Sequence, residues 1–168
     1  KRAIEELRQQ VAAVVEGREV TREIYPYQIA FNCFPHIGAF LENGYTEEEM
    51  KMVNETRKIF RDPEIAVCAT TVRIPVLFGH SEAVNIETRT PIGVDEVRAL
   101  LAKAPGVRVV DDVARARYPV PLEAAGTDDT LVGRIRQDPS AANGLAMWVV
   151  ADNIRKGAAT NAVQIAEL

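Results

Sequence analysis

Apolar residues recur at helical spacing as soon as the chain begins: Ile4, Leu7, Val11, Val14 and Val15 stand among Arg, Glu and Gln. That period predicts an amphipathic helix with these residues inward. It should stop near Glu16-Gly17, where glycine takes the left-handed C-terminal position at little cost. No capping side chain precedes the helix, there is no initiator Met, and the chain closes on Ala166-Glu167-Leu168 inside another helical pattern. Both ends read as cut, so a piece of a longer polypeptide is expected. Tyr25-Pro26-Tyr27-Gln28-Ile29-Ala30-Phe31-Asn32 then alternates as a half-buried strand does, with Pro26 at its start or on an edge.

Thr46-Glu47-Glu48-Glu49 is a capping box: hydroxyl and carboxylate satisfy each other's orphan amides. The helix it opens should bury Met50, Val53, Ile59 and Phe60 and end at Asp62-Pro63. The β-branched run from Ile65 to Val76 predicts a long strand, broken by Gly79-His80-Ser81, and residues 83–88 alternate as the next. Gly93 to Lys103 forms an amphipathic helix, Val107 to Val110 a short strand, and the Pro119/Pro121 stretch a loop. Thr130–Arg136 and Leu145–Val150 pair as a hairpin, and Asp152 caps a last helix. This order predicts one α+β domain over residues 1–168, a mixed, mostly antiparallel sheet packed against helices.

Composition removes several function classes. The 168 residues carry 20 Lys+Arg against 24 Asp+Glu, a net charge of −4, which lacks the basic footprint of a nucleic-acid binder. No apolar run reaches the roughly 18 residues that a membrane span needs. Two cysteines make neither a disulfide framework nor a metal signature, which favours a reduced, cytoplasmic setting. The ten glycines include no G-x-G pair, so the usual dinucleotide loop is absent from this chain.

The densest polar cluster is Arg73-Ile74-Pro75-Val76-Leu77-Phe78-Gly79-His80-Ser81-Glu82. Arg offers a planar fork matched to a carboxylate, and His moves protons near neutral pH. The simpler alternative is an Arg paired with a core carboxylate and a His closing a turn. Glu48 and Lys51 leave one face of their helix, either as a solvated ion pair or as two charges aimed at a zwitterionic ligand. Cys33 and Cys68 sit among apolar neighbours and read as inert filler. His36 has no ligand at metal spacing, and no metal is expected. Arg134 and Arg136 share a strand face, fit for an anion or simply for edging the sheet. A strand carrying Met147, Trp148, Val149 and Val150 has apolar surface to hide, which predicts self-association.

Four separated stretches resemble the aspartate-β-semialdehyde dehydrogenases. They are residues 25–32; Glu47 to Ile59; Val72-Arg73-Ile74-Pro75-Val76 with Gly79-His80-Ser81-Glu82; and Val132–Arg136 with Asp152-Asn153 through Gly157-Ala158-Ala159 to Glu167. The resemblance covers that family's C-terminal, substrate-binding and dimerisation part, with a fold like the C-terminal domain of glyceraldehyde-3-phosphate-dehydrogenase-like enzymes. It implies the reductive dephosphorylation of β-aspartyl phosphate to aspartate semialdehyde with NADPH, releasing phosphate, on the route to lysine, methionine and threonine. It further implies a cytoplasmic homodimer or tetramer that binds neither nucleic acid nor membrane. Carried over by motif, His80 is the acid/base catalyst, Arg73 clamps the substrate α-carboxylate, Glu48 receives the α-ammonium and Lys51 holds the phosphate. Asn153 touches the nicotinamide cofactor. The family's nucleophilic Cys and NADP-binding domain lie upstream of the matched part, and neither Cys33 nor Cys68 falls in the nucleophile's motif, so this chain alone is expected to be inactive. The alternatives are a non-catalytic dimerisation or ligand-binding module, and the related N-acetyl-γ-glutamyl-phosphate reductase.

Overall fold

The computed structural model describes residues 1–167; Leu168, the last residue of the expected domain, lies outside the described residues. The chain forms two compact units, Lys1–Leu77 and a second from Phe78 onward. No helix among the described residues is long and apolar enough to cross a membrane.

The first unit is built on two helices, α1 (Arg2–Val15) and α2 (Glu47–Phe60). The stripe that α1 buries is Glu6, Leu7, Gln10 and Ala13, not the purely apolar one expected; Val15 stays exposed. Its two polar members hold the following segment by the backbone. The Glu6 carboxylate accepts the N–H groups of Glu23, Ile24 and Tyr25. The Gln10 amide donates to the Thr21 carbonyl at 2.9 Å and accepts from Ile29 and Ala30 at 2.8 and 3.2 Å. Those amides are therefore spent on side chains, and residues 25–32 form bends and turns where a strand is expected. Leu7, Ile29, Ala30 and Phe34 make the apolar centre, with Val11 and Tyr25 against it.

The capping box at Thr46 forms as expected: Thr46 N–H donates to the Glu49 carboxylate at 2.8 Å and Glu49 N–H to the Thr46 hydroxyl at 3.3 Å. Helix α2 ends at Arg61 in the left-handed region (φ 53°). Val53 is buried, but Ile59 and Phe60 are 75% and 69% exposed, which corrects the expected inner face. The run Ile65–Val76 is also not a strand. Its backbone is held piecemeal: Glu49 accepts Thr71 N–H at 2.8 Å, Arg57 Nε donates to the Ile65 carbonyl at 3.0 Å, and a bridge pairs Arg73 with Phe34.

The second unit carries the sheet. Strands β1 (His80–Glu87), β2 (Val107–Val109), β3 (Thr130–Asp138) and β4 (Gly144–Ala151) lie in the order β1-β4-β3-β2. β4 is antiparallel to both neighbours and β2 runs parallel to β3. The expected α+β fold with its mixed, mostly antiparallel sheet is found here. Helix α3 (Val94–Leu101) covers one face, where Val97, Val132, Ile135 and Leu145 are buried together. The proline stretch, expected as loop, contains the short helix α4 (Pro121–Ala124), whose Ala124 packs on Leu131 and Val150. A bulge between Gly133 and Arg136 puts Arg134 at φ 54°. The buried Asp111 carboxylate stabilises it by accepting N–H from Arg134 and Ile135 and pairing with Arg98. The chain then winds through a π-helical turn, Arg155–Ala159, into α5 (Thr160–Ala166).

Candidate functional site

In the first unit the capping box aims the charged face of α2. Glu48 and Lys51 project from its first turns and meet at 3.4 Å, with side chains 41% and 54% exposed. Such a pair is worth well under about 1 kcal/mol, so a ligand can exchange it cheaply. Glu49 is different: two backbone amides, those of Thr46 and Thr71, hold its carboxyl below the usual carboxylate range.

Arg73 is positioned by its own backbone, which exchanges two hydrogen bonds with Phe34 at 2.8 and 3.2 Å. Its side chain is half-buried and makes no ion pair with any carboxylate among the described residues. Its Nε is buried and without a hydrogen-bond partner. The guanidinium lies 5.6 Å from the centre of the Tyr25 ring. The simpler alternative, an Arg neutralised by a core carboxylate, does not hold. A buried donor left open costs free energy unless something supplies the acceptor.

Both cysteines are exposed, which corrects their reading as buried filler. Cys68 lines a cavity of about 390 Å³ with Pro35, Phe40, Tyr45 and Glu49. Its sulfur lies 3.7 Å from the Tyr45 hydroxyl, and this contact pushes the Tyr45 phenol up. Glu48, Lys51 and Arg73 do not line that cavity.

In the second unit His80 opens β1 opposite Ala151 of β4 and is exposed. Gly79 before it sits at φ 88°, a conformation that only glycine takes without strain. The Gly79 N–H donates to Asn153 Oδ1 at 3.1 Å, so Asn153 fixes the turn from which the imidazole springs. His80 and Asn153 line one cavity of about 290 Å³ together with Thr130, Asp152 and Lys156. Asn153 Nδ2 donates to nothing among the described residues and is free for an external acceptor.

Sequence inspection places Asp152 as a cap, and the structure extends its role. The carboxylate accepts N–H from Gly126, Ile154 and Arg155, which holds it below the usual carboxylate range. Three groups escape the sequence: Tyr25 under Arg73, Lys156 in the His80 cavity, and Asp128, which grips Arg155 with both oxygens at 2.8 Å. Only Lys156 has a visible signal, three residues after Asn153 on a helical turn.

The semialdehyde dehydrogenase dimerisation-domain pattern matches residues 1–156. The chain belongs to that family. It is 60% identical over its full length to aspartate-semialdehyde dehydrogenase of Legionella pneumophila and 56% identical, over 99% of its length, to that of Aquifex aeolicus. It spans 49% of each, about half the length of these relatives. A crystal structure of aspartate semialdehyde dehydrogenase II complexed with ASA, from Vibrio cholerae, superimposes with a TM-score of 0.94 at 50% identity. It covers 99% of this chain, which covers 49% of it. The Candida albicans enzyme, solved with NADP, matches 86% of this chain with a TM-score of 0.68 at 26% identity, over 46% of its own length.

Proposed function

We propose that this chain is the substrate-binding and dimerisation part of an NADP-dependent aspartate-semialdehyde dehydrogenase. The observation that carries this reading is the Arg73 fork, half-buried, without a carboxylate partner, and with Nε open. A guanidinium kept in that state is built to receive a carboxylate from outside, bidentately. On this reading Arg73 holds the α-carboxylate of β-aspartyl phosphate. Glu48 and Lys51 trade their mutual contact for two others, Glu48 to the α-ammonium and Lys51 to the phosphate, so the charge balance is kept.

A thiolate from outside this chain attacks the acyl carbon; the carbonyl's oxyanion collapses, the C–O bond to phosphate breaks, and a thioester forms. His80 takes the thiol proton beforehand and gives it back to the sulfur when the reduced thioester releases the aldehyde. Gly79 and Asn153 hold the strand start from which His80 reaches. NADPH, when bound, would supply the hydride that reduces the thioester, after which the C–S bond breaks and the semialdehyde leaves. The free Asn153 Nδ2 fits a carboxamide oxygen such as the nicotinamide bears. The homodimer, a cytoplasmic setting and the role in lysine, methionine and threonine synthesis belong to the same proposal.

The test is phosphate-dependent NADP reduction by the full-length protein with aspartate semialdehyde. Arg73→Leu is expected to lower kcat/KM about 10- to 100-fold. Glu48→Gln is expected to raise KM for the semialdehyde. An unaltered KM in Glu48→Gln would count against ammonium recognition and favour an acylated amine, as in the N-acetyl-γ-glutamyl-phosphate reductases. Absence of turnover with the semialdehyde in the wild-type protein overturns the reading.

A further inference from the structure

An arginine that must wait for a ligand's carboxylate poses a packing problem. Left alone, a half-buried guanidinium loses its hydration. Given a protein carboxylate, it is neutralised, and the ligand must then displace that partner. The remaining solution is an aromatic face, which attracts the cation through the ring quadrupole while using none of its in-plane N–H donors. Arg73 has that arrangement. Its guanidinium lies 5.6 Å from the Tyr25 ring centre, and its side chain donates to no protein acceptor among the described residues.

The ring beneath it is fixed from several directions. Tyr25 meets the Phe34 ring edge-on, centroids 5.7 Å apart at 63°. Phe34 in turn is the residue whose backbone pairs with Arg73, so cation and ring are referenced to one point of the chain. The Tyr25 N–H donates to the buried Glu6 carboxylate at 3.4 Å. Pro26 follows and narrows the backbone choices of Tyr25. A side chain needed only to fill the core would not require this placement of its face.

We propose that Tyr25 is a positioning residue for Arg73: its ring carries the guanidinium without a counter-charge, keeping the fork ready for the substrate carboxylate. This rests on the reading of Arg73 as the carboxylate clamp, and the experiment separates the two. In the full-length enzyme, Tyr25→Phe keeps the ring and should leave KM for aspartate semialdehyde within about 2-fold. Tyr25→Leu removes it and should raise KM about 3- to 20-fold, with kcat changed far less. Pentafluorophenylalanine at position 25 keeps the ring's shape while reversing its quadrupole. It should reproduce the KM of Tyr25→Leu, and it stands in should that variant fail to fold. In an Arg73→Leu background the fluorinated ring should change nothing further.

A fluorinated variant that matches Tyr25→Phe overturns the proposal. So does a Tyr25 effect that persists undiminished without Arg73, which would mark simple packing. If Arg73→Leu itself leaves KM unmoved, the clamp reading fails. If Arg73→Leu raises KM and the Tyr25 series does not, only the present inference fails.

Discussion

The two units solve the same problem, what to do with backbone amides, in opposite ways. From Phe78 onward the strand amides are spent mainly on a four-stranded ladder, and side chains such as Asp111 and Asp152 hold amides only at the bulge and the turns. Up to Leu77 no ladder forms; short backbone pairs such as Phe34 with Arg73 are joined by side chains projecting from a helix, which hold the amides of Glu23, Ile24, Tyr25, Ile29, Ala30 and Thr71: Glu6 and Gln10 from α1, Glu49 from α2. A ladder spreads its stability over many equivalent bonds. A side-chain latch concentrates it in one group, which must be buried and polar together. The candidate chemistry follows the same division. The charges proposed to meet a ligand, Glu48, Lys51 and Arg73, stand on the latched unit, and His80, the proposed proton-transfer group, is the first residue of a laddered strand.

The comparison predicts that the laddered unit breaks most sharply where two backbones approach too closely for a side chain. At Gly133 a Cβ would fall 2.0 Å from the Val110 carbonyl oxygen and 2.6 Å from Pro119 Cδ. Backbone cannot yield as a flexible side-chain tip can, so Gly133→Ala should cost about 3 kcal/mol or more, the upper end of overpacking penalties. A urea titration following Trp148 fluorescence should show the midpoint fall. Trp148 pairs with Gly133 across the ladder, and its indole N–H donates to the Pro119 carbonyl. An unchanged midpoint would mean that the sheet is free to open at this point.

The latched unit should be most sensitive at Gln10, 1% exposed and bonded to three backbone groups. Gln10→Leu keeps the bulk but strands the amides of Ile29 and Ala30, at roughly 1–3 kcal/mol for each buried group left open. The expected result is selective: faster amide exchange at residues 21–30 with β3 and β4 unaffected. Uniform loss of protection in both units would contradict the contrast drawn between them.

Legibility follows the same line. The sheet was readable because hydrophobic alternation in residues 130–136 and 145–150 is a direct image of ladder packing. The capping box was readable because its partners are three residues apart. The two long runs in the first unit, residues 25–32 and 65–76, carry a strand's pattern of apolar residues, yet the amides of Tyr25, Ile29, Ala30 and Thr71 are claimed by Glu6, Gln10 and Glu49, 19 to 22 residues away in the chain. Nothing in a local period reveals such a claim. The residues proposed for the site were visible mainly through family motifs. Arg73 alone could equally have been a neutralised core arginine, and the ring that carries it sits 48 residues upstream. The Asp111 carboxylate, which stabilises the bulge at Arg134, left no sequence signal for the same reason.

The smallest expected effect is also the one that dissects the end of the second unit. Asp128 grips Arg155 with both oxygens and accepts the Thr160 hydroxyl at 2.7 Å, so it ties the π-helical turn to α5. The Arg155 and Thr160 hydrogen bonds bring its pKa from 3.8 down to about 2. A carboxyl whose pKa is lower folded than unfolded contributes stability that is fully present above the unfolded value and disappears as pH falls through the folded one. The tie should therefore hold at neutral pH, weaken below about pH 4 and vanish near pH 2. Because the pair is exposed, its contribution is modest and screened by salt. Asp128→Asn removes the charge and should erase this pH dependence, so that amides of residues 155–166 exchange at pH 6 as the wild type's do near pH 2 once intrinsic rates are divided out. Asn153 lies two residues before the clamp, and its bond to Gly79 is backed separately by Asp152. Exchange at Gly79 should consequently stay protected in Asp128→Asn. If Gly79 opens together with α5, the turn that carries His80 depends on the distant clamp, and the sheet unit is less self-sufficient than its ladder implies.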